Sequence, residues 1–135
     1  MKQEQILQIQ MMEQEANQLN EHLKILDENL TEMGELRESL EEVEKDDCRE
    51  ILANLGKRIY LPVEIKDKKL IVDVGEKRFI RKSIPETKKI LEEQIGKLSS
   101  AKDKIMEELD KLNQRLSQLM VEIQKEQEKE KGKRK

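Results

Sequence analysis

Two long heptad-patterned segments flank a short centre with strand and turn chemistry, and this order constrains the fold more than any other feature of the chain. The first segment runs from Ile9 to Val43, the second runs from Ile84 to Ile123, and Cys48–Ser83 lies between them. A chain that runs out along one helix, forms a small sheet and returns along a second helix makes an antiparallel coiled-coil hairpin. The sequence therefore predicts an α+β fold, with the sheet at one end of the coiled coil and both termini at the other.

Apolar residues in both segments recur at alternating steps of three and four, as a and d positions do in a coiled coil. Leu36 follows Met33 by three residues where four are expected, which predicts a stammer beside Gly34. Lys88 and Lys102 occupy seam positions, where a lone Lys can set the register at a cost in stability. The first seam is Ile9, Met12, Ala16, Leu19, Leu23, Leu26, Leu30 and Met33, followed by Leu36, Leu40 and Val43. The second seam is Ile84, Lys88, Leu91, Ile95, Leu98, Lys102, Ile105, Leu109, Leu112, Leu116, Leu119 and Ile123.

The centre alternates apolar and polar residues as half-buried strands do. It predicts four short strands in two hairpins, over 51–56, 58–66, 70–74 and 78–82. Two hairpins with so few apolar residues cannot form a stable core alone, because isolated hairpins are marginal in water and free sheet edges invite pairing. We therefore expect the sheet to complete itself against other subunits. The residues expected at this oligomerisation interface are Ile59, Leu61, Val63, Ile65, Leu70, Val72, Val74, Phe79 and Ile80.

The second helix has a clear start signal. Ser83 and Glu86 fit an N-cap and a capping box, and Pro85 is tolerated in a first turn. The domain organisation that follows is an N-terminal coiled-coil helix over 1–47, a β-hairpin oligomerisation region over 48–83, a C-terminal coiled-coil helix over 84–125 and a charged, disordered tail over 126–135.

Composition and charge argue against a pocket enzyme. Charged residues make up 42% of the chain, against about 25% in ordinary globular domains. The first 47 residues carry 4 basic and 14 acidic side chains, which repel nucleic acid. The single Cys48 and single His22 form no disulfide or metal-binding pattern. We therefore expect a non-enzymatic cytoplasmic protein without a cofactor or metal, since no signal peptide or membrane span is visible either.

Apolar residues outside the seam cluster where both helices reach the free termini. Exposed apolar side chains at such a tip, flexible Met above all, can hold non-native chains. Alternatively, they only close the coil or pack on a neighbour. The candidate client-binding residues are Ile6, Leu7, Ile9, Met11, Met12, Leu116, Leu119, Met120, Val121 and Ile123.

The order of helix, β-hairpins and helix resembles a prefoldin subunit over almost the whole chain. The most specific part is the central block of Leu55-Gly56, Ile59–Ile65, Val72–Gly75 and Phe79–Lys82. Two hairpins are similar to the alpha class, whereas the beta class has one. Alpha subunits often carry a Pro-Leu-Gly-x-Gly turn. This chain keeps only Leu-Gly in Asn54-Leu55-Gly56-Lys57-Arg58, and the later turn, Val74-Gly75-Glu76-Lys77, is also one glycine short.

The resemblance implies an archaeal-type hexamer of two alpha-type and four beta-type subunits, in which β-barrels form a platform and six coiled coils extend from it. Such assemblies capture unfolded polypeptides at the coiled-coil tips and deliver them to a group II chaperonin without nucleotide or metal. The alternative is a structural coiled-coil scaffold or a filament-forming prefoldin-like protein.

Overall fold

A computed structural model describes residues 2–133 and consists of two long helices separated by four short strands. Helix α1 spans Gln3–Glu44 and helix α2 spans Ile84–Lys133. The strands are β1 Glu50–Gly56, β2 Ile59–Glu64, β3 Leu70–Asp73 and β4 Phe79–Lys82. Antiparallel pairing joins β1 to β2 and β3 to β4. The predicted α+β class, with two long helices around two hairpins, is confirmed.

Helix α2 extends further than the sequence analysis predicts. It continues beyond Ile123, the last seam residue, so residues 126–133 of the predicted disordered tail are helical. This segment is rich in Glu, Lys and Gln, which have high intrinsic helix propensity, so the helix can continue without a seam to bury. The last two residues of that tail, Arg134 and Lys135, lie outside the described part of the chain.

The described chain divides into two compact units. The first combines residues up to Glu28 with residues from Leu98 onward. In this unit α1 and α2 pack antiparallel, as two contacts between them show. The Gln5 amide donates to the Glu126 carboxylate at 3.2 Å, and Lys102 pairs with Asp27 at 2.7 Å. The buried seam residues of this unit are Leu26, Ile105, Leu112 and Ile123.

The second unit comprises Asn29–Lys97 and contains both hairpins. Its core is Leu40, Ile84 and Leu91, against which Leu70 of β3 also packs. Burying such side chains stabilises the unit by about 1.5–3 kcal/mol for each of them. The second hairpin is thereby fixed to the helices beside it.

The predicted stammer in α1 is wrong, because the seam continues through Arg37. Arg37 follows Met33 by four residues and is half-buried, whereas Leu36 is 48% exposed. Leu40, three residues after Arg37, is buried. A long Arg side chain can lay its methylene groups along an apolar surface and keep its charged group in water. The helix therefore keeps its regular register and leaves an apolar residue outside the seam.

Both seam lysines of α2 form salt bridges with acidic residues of α1. Lys102 pairs with Asp27 in the first unit, and Lys88 pairs with Glu44 at 2.9 Å in the second. The hydrogen bond to Glu44 raises the pKa of Lys88 above its ordinary value, so Lys88 stays protonated. Charged seam pairs of this kind can fix the register of two helices.

A basic side chain from outside α1 binds at its C-terminal end, since α1 has no basic residue in its last turn. The Lys68 ammonium donates to the carbonyl of Lys45, just past the end of the helix. At the start of α2, the Ser83 hydroxyl accepts the Glu86 N–H at 3.3 Å, which confirms Ser83 as the N-cap. Both helix ends beside the hairpins therefore have partners for free backbone groups.

Both hairpins close with the same turn. The Asn54 side chain accepts the N–H of Gly56 at 2.8 Å, and the Asp73 side chain accepts the N–H of Gly75 at 2.9 Å. Three consecutive residues then have positive φ: 114°, 49° and 64° in the first turn, and 116°, 52° and 61° in the second. The third of these is Arg58 or Lys77, the position of each missing glycine.

We predict that Arg58→Gly and Lys77→Gly each stabilise the protein. A residue with a Cβ in the left-handed region destabilises the folded state by roughly 1–2 kcal/mol, and glycine removes this cost. Glycine also makes the unfolded chain more flexible, which offsets part of the gain. We therefore expect the free energy of unfolding to rise by about 1 kcal/mol. Urea unfolding followed by circular dichroism measures it. The matched variants Arg58→Ala and Lys77→Ala remove the charge but keep the Cβ, and they should give no gain. Equal gains for Gly and Ala would mean that charge, not backbone conformation, is responsible.

Candidate functional site

The first unit carries an open groove of about 370 Å³ between α1 and α2, which we call the terminal groove. Its apolar floor is Met11, Met12 and Leu119. Its rim is polar and of mixed charge, and consists of Gln8, Glu15, Arg115, Gln118 and Glu122. An apolar floor with a mixed polar rim can bind apolar side chains and also contact the backbone around them.

The heptad pattern explains why the groove is apolar. Met12 and Leu119 are seam residues and are half-buried between the helices. Met11 lies beside the seam and is 61% exposed. A seam needs only a narrow apolar stripe, so Met11 widens the stripe on one side beyond what helix pairing requires.

The predicted client-binding residues fall into three groups by exposure. Ile123 is 4% exposed, so it closes the helix pair and is inaccessible to an external chain. The half-buried residues are Ile9, Met12, Leu116 and Leu119. The exposed residues are Ile6, Leu7, Met11, Met120 and Val121. Of all ten, the structure brings Met11, Met12 and Leu119 together in the terminal groove.

Sequence reasoning missed the polar rim of the groove. Glu15, Arg115 and Glu122 look like any other charged residues on a helix surface. Their heptad positions next to the seam are the signal that could have identified them, because such positions flank the apolar stripe.

The hairpins offer a second apolar surface. Cross-strand pairing sets which residues share a face: Val63 lies opposite Ile51, and Val72 lies opposite Ile80. Four of the nine predicted interface residues are half-buried, namely Val63, Ile65, Leu70 and Val72. The other five are exposed, namely Ile59, Leu61, Val74, Phe79 and Ile80.

Further exposed apolar residues of the hairpins were missed by the sequence analysis. They are Ile51, Leu52, Leu55, Tyr60 and Ile71. Leu52 and Tyr60 are on the opposite face of the first hairpin from Val63, since side chains alternate along a strand. Each hairpin therefore exposes apolar side chains on the face turned away from its half-buried side.

A cleft of about 560 Å³ lies between the end of α1 and the two hairpins in the second unit. Val43, Val63 and Leu70 contribute to its apolar lining. Its charged lining is mixed and consists of Glu64, Lys66, Asp67, Lys68, Lys69 and Arg81. Together with the exposed hairpin faces, this leaves much of the apolar surface of the second unit open to a partner.

Residues 2–133 contain no cluster of three or more His, Cys, Asp or Glu side chains suited to a metal ion. Neither helix, as far as the chain is described, has an apolar stretch long enough to cross a bilayer.

The chain is similar in sequence to prefoldin subunits. The prefoldin family model, described as a prefoldin subunit, matches residues 12–129. Prefoldin subunit alpha of Archaeoglobus fulgidus is 28% identical over 130 residues, which cover 95% of each chain. A chain in the cryo-EM structure of filamentous PFD from Methanocaldococcus jannaschii aligns with a TM-score of 0.46 and 20% identity. That alignment covers 87% of this chain and 93% of the other.

Proposed function

Since the chain belongs to the prefoldin family, and is therefore a chaperone subunit rather than an enzyme, we propose that it holds unfolded polypeptides at its terminal groove. We further propose that it is one of two alpha-type subunits that form a cytoplasmic hexamer with four beta-type subunits. The hexamer then passes its clients to a group II chaperonin, and this chain needs no nucleotide or metal for that step.

The terminal groove is the observation that carries the proposal. Met11 is exposed beside Met12 and Leu119, and Leu7 and Val121 are exposed in the same unit. Exposed apolar side chains that are grouped inside a polar rim commonly mark a binding site. The flexible thioether chains of Met adapt to partners of irregular shape, and this suits the binding of many different unfolded segments.

Assembly through the hairpins supports the same proposal. Two-stranded hairpins with apolar residues on both faces are marginal alone and gain stability by pairing with other strands. Covering Leu52, Tyr60, Ile71 and Phe79 with strands of other subunits would bury four large exposed apolar side chains of the second unit. Several such subunits would then present several terminal grooves to one client.

The competing proposal is a scaffold, in which the same hairpin faces build an open polymer of this chain alone. A closed complex of fixed mass with a one-hairpin partner favours the chaperone, because only closed symmetry ends assembly at a defined size. Growth of this chain without limit favours the scaffold. Light scattering at several concentrations separates the two.

A charge introduced into the terminal groove by substitution tests the holding function. In the assembled complex we predict that Met11→Glu, which places a carboxylate in the groove, weakens the suppression of aggregation of a chemically unfolded test protein several-fold. Each lost apolar contact is worth about 1.5–3 kcal/mol at most, and the partner subunits retain some activity.

The matched control is Met106→Glu. Met106 is also an exposed methionine of the same unit, but it does not line the groove. The control should protect the test protein as well as the wild type does. Full protection by Met11→Glu in an intact complex would remove the terminal groove from the proposed function.

A further inference from the structure

We propose that Met11 is an oxidation site whose conversion to the sulfoxide by a hydroperoxide weakens client holding. The inference rests on the proposed function of the terminal groove and adds a means of regulating it.

Met11 has the most exposed side chain among the described methionines. Met11 is 61% exposed, Met106 is 50% and Met120 is 45%, whereas Met12 and Met33 are half-buried. Oxidation follows access of the oxidant to the sulfur. Of the three exposed methionines, only Met11 lines the terminal groove. Its oxidation therefore changes the groove directly, and oxidation of the other two does not.

The chemistry is a two-electron oxygen transfer. The thioether sulfur attacks the distal oxygen of the hydroperoxide, an S–O bond forms, and the O–O bond breaks. The leaving oxygen takes up a proton, so that hydrogen peroxide yields water and sulfur is oxidised to the sulfoxide. The product replaces an apolar, flexible side chain by a polar one. The sulfoxide oxygen must then lose its hydration before an apolar client segment can bind in the groove, and this weakens binding.

The coiled coil should survive this change. Met11 lies outside the seam, and the buried residues of the first unit, Leu26, Ile105, Leu112 and Ile123, contain no sulfur. Met12 is a seam residue, but it is half-buried and should react more slowly. Loss of holding can therefore be separated from loss of structure.

The first measurement is the order of oxidation. The assembled complex is treated with hydrogen peroxide for increasing times, and the peptides of this chain are analysed by mass spectrometry. Met11 should be oxidised faster than Met12 and Met33. Circular dichroism and light scattering should show unchanged helix content and complex size at the time when Met11 is converted. A slower reaction at Met11 than at Met12 would overturn the inference.

The second measurement is protection of an unfolded test protein before and after this treatment. We expect a several-fold loss for the wild type, recovered after incubation with methionine sulfoxide reductases. Met11→Leu should lose little protection on treatment relative to its own untreated sample, whereas Met106→Leu, outside the groove, should lose protection as the wild type does. Met11→Gln, which places a polar side chain of similar length there, should lower protection without any peroxide.

The outcomes distinguish this inference from the proposed function. If the untreated complex does not protect the test protein, the proposed function fails, whatever the order of oxidation. If the untreated complex protects and oxidised wild type protects equally well, the Met11 inference fails and the function stands. An equal peroxide-induced loss in Met11→Leu also overturns the inference, because the responsible sulfur would then lie elsewhere.

Discussion

Leu91→Ala is expected to lower the free energy of unfolding by about 2–5 kcal/mol, as large-to-small substitutions in cores do. Leu91 is 6% exposed and packs with Leu40 and Ile84, so its truncation removes buried apolar surface and leaves a cavity at the centre of the second unit. Leu70 of β3 packs against the same cluster, and the second hairpin should be loosened together with the helices.

The measurement is urea unfolding at fixed protein concentration, because the stability of an oligomer depends on concentration. Leu36→Ala is the matched control: the same substitution in the same unit, at an exposed position. Surface substitutions of this kind usually change stability by no more than about 0.5 kcal/mol. Similar shifts for the two variants would mean that the second unit has no specific core at Leu91.

Ile71→Lys with Phe79→Lys is expected to weaken assembly at least a hundredfold. The two side chains are both more than 60% exposed and share one face of the second hairpin. Buried apolar anchors of an interface often contribute more than 2 kcal/mol each, and about 1.4 kcal/mol corresponds to a tenfold change in affinity. Two ammonium groups on this face would also have to lose their hydration when the interface forms.

Light scattering measures the mass of the complex against concentration for this variant. The control is Leu36→Lys, an exposed apolar residue of α1 in the same unit but outside the hairpins. It should assemble as the wild type does. If the double variant assembles at the same concentration as the wild type, that hairpin face is not part of the interface.

The sequence predicted the helices well because the seam is a long periodic signal. Every predicted seam residue of α2, from Ile84 to Ile123, is buried or half-buried. The single misplacement was Leu36, which was preferred over Arg37 because it is apolar. Continuation of the heptad decides the geometry instead, and an Arg stem can occupy a seam position.

Other features had weaker sequence signals. The positive φ values at Arg58 and Lys77 are unusual for residues with a Cβ, and only the absence of an expected glycine hinted at them. A period of two predicts one buried and one polar face, so it does not indicate apolar residues on the second face of the hairpins. Leu52 and Ile71 are exposed apolar residues on that face.

The site was predictable in part for a physical reason. Apolar residues outside the seam, such as Met11 and Val121, stand out in a highly charged helix. Predicting that Met11 and Met12 of α1 lie beside Leu119 of α2 requires the register between the two helices. The pattern of either helix alone does not give this register. That register is set by pairs far apart in sequence, such as Asp27 with Lys102.

Site-specific photo-crosslinking tests the central claim most directly. A photoreactive residue is placed at Met11 or Gln8, which line the groove, and for comparison at Ile25 or Met106, in the assembled complex. A chemically unfolded test protein is then added without nucleotide and irradiated. The account predicts crosslinks to the unfolded protein from positions 11 and 8, few from positions 25 and 106, and none once the test protein has folded. Equal crosslinking from all four positions, or from 25 and 106 alone, would contradict client holding at the terminal groove.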